Sequence, residues 1–520
     1  MSDRSVRSHE DVSSGRRKAV QFSVDIRKRD RLARLNRKRR ITSDGLVEAV
    51  EPVTAPILEN HFEHVERPHD IPHLNSVLGG DYDAVMKWLK ENTLQSVSSA
   101  VRSLKYYSNQ AGFALAFAAD DVMVSMVLGH LHPGSTPQID SNDIRDTLWV
   151  LTNVTCTSSA WPTQRLVQHG ILSHIPTLLQ HQDSKVADQA MWLIGNMVGE
   201  GPKQRDLVLQ TNIAPAILHY ARHSKAPKAQ ATAAWVTTNL IRGDPAPLYH
   251  HVKQVLPVLA GFLTSQERSV LLEVSWGVNY YSDIRTPDSS EIKDIVESGM
   301  LHRLIDLSFH EDRRIAIPVL RVIGNISAGD NAFSTTLVNR GLLAHLRSLV
   351  SQSDAYIVKE AIWIVSNIAA SYDQHRLTIL QNGLLDDIMR NLRVSKDAAV
   401  VKECTWALLN MCTSSDQTIL QGVVTDANTK SLIAAICRLN QVRDEKTLYT
   451  CIEVLEHFLE QGESLGLDEN PVVNILEEDN NGAGLDRLEE LQSAPSEGIY
   501  TLVSHIIQYY FGEEDEEYTE

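Results

Sequence analysis

The sequence predicts an all-α protein built as a solenoid of about nine or ten helical repeats. Three observations predict this fold class: a short phrase that recurs about every 43 residues, apolar stretches of helical length around each copy, and the absence of any long stretch that alternates like a strand. A length of 520 residues would also suit several ordinary domains. The repeat, and not the length, therefore decides the architecture.

The recurrent phrase has nine residues and appears seven times, as TLWVLTNVT, AMWLIGNMV, AAWVTTNLI, VSWGVNYYS, VLRVIGNIS, AIWIVSNIA and CTWALLNMC. Its third positions are Trp149, Trp192, Trp235, Trp276, Arg321, Trp363 and Trp406, spaced by 43, 43, 41, 45, 42 and 43 residues. This period is typical of two- or three-helix solenoid repeats and excludes the shorter tetratricopeptide and ankyrin periods.

Charge is distributed very unevenly along the chain. Residues 1–40 contain 14 Lys/Arg against 5 Asp/Glu, whereas residues 41–520 contain 35 against 61. The sequence therefore joins a basic arm, residues 1–45, to an acidic body. Because such a body repels nucleic acid and anionic membranes, we expect neither as a direct partner.

The remaining segments are assigned by composition. Residues 46–80, which contain several prolines, are predicted to be a flexible linker, and residues 81–511 to be the solenoid. Its two ends, about 81–135 and 421–511, are helical in pattern but lack the phrase, as expected of capping repeats. Residues 512–520 form an acidic tail.

Several function classes are excluded by what the sequence lacks. The five cysteines are odd in number and show no metal-ligand spacing, which indicates a reduced compartment and no structural zinc. No signal peptide or membrane-spanning run is recognisable. An enzyme is disfavoured because there is no phosphate-binding glycine loop, no His-Glu-x-x-His helix and no Gly-x-Ser-x-Gly elbow. We expect no catalytic residue, metal or cofactor.

The Trp and the residue four positions later lie on the same face of a helix. That later position holds Asn153, Asn196, Asn239, Tyr280, Asn325, Asn367 and Asn410. Asn amides can hydrogen-bond the backbone of an extended peptide, and the methylene stems of Lys and Arg can lie between indoles at about 0.5–2 kcal/mol for each cation–π contact. Stacked repeats would align these groups in a groove.

The position three before the Trp shares that face and is often acidic. It holds Asp146, Gln189, Thr232, Glu273, Pro318, Glu360 and Glu403. Carboxylates beside indoles favour positively charged ligands. The alternative is structural: a Trp at helical spacing is usually a core residue, and a repeated Asn can bridge neighbouring helices. For any single pair that alternative is favoured, whereas the recurrence of three features together favours a groove.

The basic arm ends in the run Arg37-Lys38-Arg39-Arg40. Such a segment is usually a nucleic-acid or membrane patch, or a nuclear localisation signal read by another protein. Here the same chain has a groove suited to that run, so the arm can occupy it. A tethered peptide acts at an effective concentration near millimolar and would suppress weak ligands.

Over nearly its full length the sequence resembles the importin alpha (karyopherin alpha) family of nuclear-import adaptors. The resemblance implies a right-handed armadillo-repeat superhelical solenoid and a non-enzymatic protein that shuttles between cytoplasm and nucleus. It implies that residues 1–45 are an autoinhibitory importin-beta-binding arm. The arm residues that match the family are Arg16, Arg17, Arg27, Lys28, Arg29, Arg37, Lys38, Arg39 and Arg40.

The resemblance also implies two sites for nuclear localisation signals. The major site would use Asp146, Trp149, Asn153, Thr163, Gln189, Trp192, Asn196, Glu200, Trp235 and Asn239. The minor site would use Glu273, Trp276, Tyr280, Asp283, Arg321, Asn325, Glu360, Trp363, Asn367, Glu403, Trp406 and Asn410. The implied partners are importin-beta, cargo proteins and, through residues 484–511, an export receptor with Ran-GTP; contacts with nucleoporins are allowed.

Departures from the family pattern fall in the major site. Glu200 stands where the family has an aspartate that meets the main lysine of the cargo. Thr163 follows a one-residue insertion near Trp161, and Thr157 replaces a glycine. A catenin-like armadillo scaffold for acidic partner tails is the alternative function, and it would need a basic groove.

Overall fold

The structure is a computed structural model that describes residues 101, 104–105, 107–108, 112–132, 140–157, 159–464 and 469–512. Within these residues the regular secondary structure consists of 27 α-helices and three short 3₁₀-helices, with no strand. The all-α prediction is confirmed. The predicted arm (1–45), linker (46–80) and residues 513–520 of the acidic tail lie outside the described residues.

The helices follow one another in groups of three. The first groups are α1 Phe113–Ala119, α2 Asp121–Gly129, α3 Ser141–Thr155; α4 Trp161–Gln168, α5 Ile175–Leu179, α6 Ser184–Gly199; α7 Pro202–Leu209, α8 Ile213–His223, α9 Pro227–Asn239; α10 Tyr249–Val252, α11 Leu256–Leu263, α12 Arg268–Ser282. Next come α13 Ser290–Glu297, α14 Leu301–Leu307, α15 Arg313–Ser327; α16 Asn331–Asn339, α17 Leu342–Val350, α18 Ala355–Ala369. The last are α19 Asp373–Gln381, α20 Leu384–Val394, α21 Ala398–Cys412; α22 Gln417–Val423, α23 Asp426–Arg438, α24 Glu445–Ser464; α25 Pro471–Glu478, α26 Ala483–Leu491, α27 Glu497–Tyr510.

Every copy of the phrase lies on the third helix of its group, from α3 to α21. The chain divides into two compact units, with α1–α14 in the first and α15–α27 in the second. In the first unit α3, α6, α9 and α12 stack on one another in sequence. In the second unit α15, α18, α21, α24 and α27 do the same. Neighbouring repeats therefore bury each other's phrase helices, as in other solenoids.

Aspartates fix where many phrase helices begin. The side chain of the residue before the helix accepts a hydrogen bond from a backbone N–H of the first turn in α3, α6, α15, α18 and α21. The capping residues are Asp140, Asp183, Asp312, Asp354 and Asp397. Each cap contributes about 1 kcal/mol and sets the register of the Trp and Asn that follow.

Buried arginines on the first helices of two groups hold the end of the third helix of the same group. Arg205 on α7 is fully buried and donates to the carbonyl oxygens of Arg242 and Pro245, both beyond the end of α9. Arg376 on α19 donates to the carbonyl oxygen of Asn410 and to Thr413 Oγ1 at the end of α21. In both groups the guanidinium satisfies acceptors that the end of a helix leaves unpaired.

Candidate functional site

The predicted trio of residues forms a partly exposed stripe on α3 and on α6. On α3 the stripe contains Asp146, Trp149 and Asn153, which we call the first subsite. On α6 it contains Gln189, Trp192 and Asn196, which we call the second subsite. The residues between these positions are mostly buried, and α3 packs against α6. The helical period therefore places both trios on the accessible side of adjacent helices.

The amide nitrogens of several phrase asparagines bond to the preceding repeat. In the first unit, Asn196 Nδ2 lies 3.3 Å from both the carbonyl oxygen of Thr152 and Thr155 Oγ1. Gln189 Nε2 donates to Thr152 Oγ1 at 2.9 Å. The bridging role that the sequence left open is therefore observed, and Thr152, which sequence reasoning did not single out, anchors the second subsite.

The same bridge recurs in the second unit. Asn367 Nδ2 lies 3.4 Å from the carbonyl oxygen of Gly324 and 3.3 Å from Ser327 Oγ. Asn410 Nδ2 lies 2.8 Å from the carbonyl oxygen of Ser366 and 3.2 Å from its Oγ. The Oδ1 atom of Asn410 is buried and has no hydrogen-bond partner in the described part of the chain. The NH₂ group of the Asn410 amide thus donates within the protein, while its oxygen accepts no hydrogen bond from the described residues.

A carboxylate lies at the end of the second subsite. Glu200 follows α6 directly, and its Oε1 atom accepts a hydrogen bond from Thr163 Oγ1, a buried hydroxyl on α4. Its other oxygen, Oε2, is shielded from solvent and has no hydrogen-bond partner among the described residues. Because burial disfavours the charged form, the pKa of Glu200 is raised to about 7, although the Thr163 bond opposes the shift.

The insertion that precedes Thr163 does not separate this threonine from Glu200. Trp161 opens α4 and is 40% exposed, and Pro162 and Thr163 behind it are buried. Thr157 Oγ1 donates to the carbonyl oxygen of Ser159 at 2.8 Å, within the connection between α3 and α4. The Thr163–Glu200 pair thus forms beside the exposed Trp161 indole and this local loop.

The indoles differ in how deeply they are buried. Trp149, Trp192 and Trp406 are partly exposed, whereas Trp235, Trp276 and Trp363 are only 3%, 8% and 0% exposed. The two most buried indoles pack on a glycine that precedes the phrase Asn of the preceding repeat. A Cβ built on Gly195 would lie 2.3 Å from the ring of Trp235, and one on Gly324 would lie 1.9 Å from that of Trp363.

Side chains replace glycine beneath the more exposed rings. Thr152 precedes the phrase Asn below Trp192, and Ser366 holds the same place below Trp406. The absence of a side chain lets the Trp235 and Trp363 indoles sink onto the helix backbone. The sequence contains this signal, in the residue before each phrase Asn, but the Trp/Asn pattern alone does not reveal it.

On α9 and α12 the predicted residues are mostly covered. Asn239, Thr232 and Glu273 are buried, and Thr238 Oγ1 donates to the carbonyl oxygen of Glu273 at 2.9 Å. Burial raises the pKa of Glu273 to about 7 against the opposing attraction of Arg242. The rings of Trp276 and Tyr280 lie 5.8 Å apart, and Asp283 at the end of α12 pairs with Arg285 at 2.8 Å.

In the second unit the Glu360 carboxylate is paired with the Arg321 guanidinium of the same chain. Arg321 Nε and Nη2 donate to Glu360 Oε1 at 3.1 and 2.9 Å, and Lys359 Nζ lies 2.9 Å from the same oxygen. Arg321 Nη1 and Glu360 Oε2 are buried without a hydrogen-bond partner in the described residues. Asn325, on the same helix as Arg321, is also buried. The irregular phrase therefore neutralises the acid of the next repeat.

Next to this pair, α21 carries the most accessible indole of the second unit. Trp406 is partly exposed, while Glu403 and Asn410 beside it are 4% and 3% exposed. Of the predicted minor-site residues on α15, α18 and α21, Trp406 is the only one that is not buried. Any ligand contact here would centre on this ring.

Two residues that sequence reasoning missed complete the first subsite. Lys105 Nζ lies 2.9 Å from Asp146 Oδ1 and 5.1 Å from the centre of the Trp149 ring. Ser108 Oγ accepts a hydrogen bond from Asn153 Nδ2 at 2.9 Å. Both precede the first copy of the phrase, so the repeat pattern gave no reason to connect them with it.

Comparisons with known proteins agree with this arrangement. Residues 162–199, which span most of α4 to α6, match the family model of the armadillo/beta-catenin-like repeat. Residues 470–520 match that of the atypical Arm repeat. The chain is 28% identical to importin subunit alpha-1a of Oryza sativa subsp. japonica over 323 residues and 29% identical to importin subunit alpha-2 of Arabidopsis thaliana over 302 residues. The chain is therefore similar to importin alpha subunits.

The chain spans about half the length of the curated relatives it matches. The aligned parts cover 62% of the chain and 56% of rice alpha-1a, and 58% of the chain and 52% of Arabidopsis alpha-2. A shorter alignment with rice importin subunit alpha-1b is 34% identical over 184 residues and covers 34% of that protein.

A solved engineered protein shares the fold. It superposes with a TM-score of 0.66 at 20% identity and covers 82% of this chain and 98% of its own. At that identity the likeness shows the fold alone, which with the Arm matches is an all-α armadillo solenoid. In the described range no helix is long and apolar enough to cross a membrane, and no group of three or more His, Cys, Asp or Glu could hold a metal ion.

Proposed function

We propose that the chain is a non-enzymatic nuclear import adaptor that binds lysine- and arginine-rich nuclear localisation signals. One observation carries the proposal: Glu200 holds a shielded carboxylate oxygen, unpartnered among the described residues, next to a partly exposed Trp and Asn on α6. A buried carboxylate oxygen without a partner is costly, and a lysine ammonium would supply both charge and donors. This chemistry favours a lysine-bearing peptide as the ligand.

The binding step can be described from the residues present. A lysine stem would lie along the indole of Trp192, and its ammonium would reach Glu200 and the Thr163 hydroxyl. Asn196 is held by Thr152 and Thr155, so its orientation is set before a peptide arrives. Preorganised contacts of this kind reduce the entropy lost on binding. The second subsite and Glu200 therefore form the centre of the proposed major site.

The minor site is proposed around α21. Trp406 supplies the accessible indole, with Glu403 and Asn410 beside it. Because Arg321 already neutralises Glu360, that carboxylate would attract a cargo cation only weakly. We therefore expect the minor site to bind basic peptides more weakly than the major site.

The remaining parts of the proposal concern partners. Residues 1–45 would bind importin-beta, or the groove itself when importin-beta is absent, and the chain would shuttle between cytoplasm and nucleus. An export receptor with Ran-GTP would contact the C-terminal repeats. These assignments rest on the basic pattern of the arm and on kinship with proteins named as importin alpha subunits.

The test is a binding measurement with a fluorescent lysine-rich peptide. Fluorescence anisotropy with the full chain should show saturable binding, and Glu200→Gln should weaken it about ten- to hundredfold, because a hydrogen-bonded charge contact is lost. Glu297→Gln, which removes an exposed carboxylate on α13, is the matched control and should leave binding unchanged. No binding of the basic peptide, together with binding of an acidic peptide, would favour the catenin-like scaffold instead.

A further inference from the structure

The first subsite already contains a lysine that belongs to the chain itself. Lys105 Nζ lies 2.9 Å from Asp146 Oδ1 and 5.1 Å from the centre of the Trp149 ring. The Lys105 and Asp146 side chains are only 12% and 14% exposed. A cation beside a carboxylate and over an indole is the arrangement proposed for a bound cargo lysine.

The amide of the first subsite is engaged by the same segment. Asn153 Nδ2 donates to Ser108 Oγ at 2.9 Å, and Ser108 Oγ in turn donates to the carbonyl oxygen of Lys105 at 2.8 Å. Lys105 and Ser108 are three residues apart, which places them one helical turn from each other. One short segment thus engages the acid, the indole and the amide of α3.

The second subsite differs in this respect. Its neighbouring carboxylate, Glu200, receives one hydroxyl hydrogen bond and has an oxygen without a partner among the described residues. No lysine or arginine of the described chain forms an ion pair with it. The two subsites therefore differ in charge pairing: Asp146 of the first is paired with Lys105 of the same chain, whereas Glu200 beside the second has no such cation among the described residues.

We infer that Lys105 is a specificity-determining residue that closes the α3 end of the groove by occupying the first subsite. The inference rests on the proposed function, because it concerns which part of the groove a basic peptide can use. A cargo lysine would have to break the Lys105–Asp146 contact to form an equivalent one, so it would gain little. Recognition of cargo lysines would therefore begin at the second subsite.

The experiment compares an alanine scan of one basic peptide on the full chain and on Lys105→Met. Methionine keeps the length and apolar character of the side chain but removes the charge, so Asp146 and Trp149 become available. We expect one more peptide position to become sensitive to alanine and the affinity of the parent peptide to rise roughly 3- to 10-fold. Thermal unfolding of both proteins shows that the comparison is between folded chains.

Arg145→Gln is the matched control. Arg145 Nη2 lies 3.9 Å from Asp146 Oδ1, so this substitution removes a positive charge near the same carboxylate without uncovering the indole. Equal tightening in Arg145→Gln and Lys105→Met, with no new sensitive position in either, would overturn the inference and indicate a general charge effect. The same holds if Lys105→Met changes nothing while the full chain binds the peptide.

A double substitution adds an independent readout. Asp146→Asn should have little effect in the full chain, where Lys105 already neutralises the acid, and should remove the gain in the Lys105→Met background. A strong loss from Asp146→Asn alone would mean that cargo uses this carboxylate and would overturn the inference. If the full chain binds no basic peptide at all, the proposed function fails, and that result is distinguishable from all of these.

Discussion

Single side chains decide which parts of the groove can accept a cation. Among the phrase-helix acids, Asp146 and Glu360 are neutralised by Lys105 and Arg321, whereas Glu200 is bonded only to a hydroxyl in the described residues. The difference matters because a carboxylate that is already paired with a cation attracts a second cation only weakly. Residue-scale tests should therefore centre on Glu200.

Binding of a lysine-rich peptide should strengthen as pH rises from 6 to 8. Since the pKa of Glu200 is about 7 in the peptide-free protein, part of the population is protonated at neutral pH. A bound ammonium favours the carboxylate, so binding releases a proton, and below pH 7 affinity should fall by up to about tenfold for each pH unit. Anisotropy titrations across this range measure the slope.

Glu200→Gln provides the control for that profile, since glutamine does not titrate. The variant should bind weakly with an affinity that is nearly flat between pH 6 and 8. Glu273 also has a pKa of about 7, so a slope that persists in Glu200→Gln would show that a group other than Glu200 is responsible and contradict the prediction.

Gly324→Ala should destabilise the second unit. The new Cβ would lie 1.9 Å from the Trp363 ring, which is fully buried and has no space to move into, and overpacking of this kind costs about 1–3 kcal/mol. Chemical or thermal unfolding measures the change. The matched substitution is Gly261→Ala on α11, where a Cβ meets nothing within 4 Å.

Gly261→Ala should instead increase stability, because alanine favours the helix by roughly 0.5–1 kcal/mol over glycine when the site is open. Equal changes in stability from both substitutions would show that the contact with Trp363 does not control the result.

At the scale of helices, arginines join the first helix of a group to the end of its third helix. Arg376 on α19 holds the end of α21 through Asn410 and Thr413, as Arg205 on α7 holds the segment after α9. Both side chains are buried, and both contact two acceptors at once. The first helix of a group thus secures the end of the phrase helix of the same group.

Arg376→Lys should loosen the end of α21. Lysine keeps the charge but cannot place donors on both the Asn410 carbonyl and Thr413 Oγ1, so we expect a loss of roughly 2 kcal/mol in stability. Hydrogen exchange of residues 408–414 should accelerate. Arg393→Lys, at an exposed position in the last turn of α20, should leave the exchange of these residues unchanged, and equal protection in both variants would contradict the role given to Arg376.

The comparison of sequence with structure is clearest at this scale. The 43-residue period predicted where each phrase helix lies, because a repeated Trp–Asn spacing is a property of the helix itself. It could not predict which indoles are buried, since that depends on a contact across repeats: Trp363 meets Gly324, while Trp406 meets a repeat that has Ser366 there. Lys105 was missed for the same reason, as it lies outside the phrase and reaches Trp149 only through packing.

At the scale of the whole molecule, a basic arm and an acidic body belong to one chain. Residues 1–40 carry a large positive excess and residues 41–520 a large negative one. Intramolecular competition is the simplest consequence for ligand binding. Its strength depends on the effective concentration of the arm near the groove.

Removing residues 1–45 should tighten the binding of a lysine-rich peptide by roughly tenfold or more, because a tethered competitor near millimolar concentration is lost. Anisotropy with the same peptide and both chains measures the change. Adding the separate 1–45 peptide to the shortened chain should weaken binding again. Equal affinity with and without the arm would reject self-inhibition while leaving the groove proposal intact.

The bridged asparagine of the second subsite has a consequence for the chemistry of possible ligands. Since Asn196 is partly exposed and directs its NH₂ group into the protein, its carbonyl oxygen is the group it can offer a peptide. An amide held in this way accepts hydrogen bonds and cannot donate them. A cargo segment with proline or an N-methylated residue opposite Asn196 would lack the matching N–H, so backbone methylation, position by position, would map the register without altering a single charge.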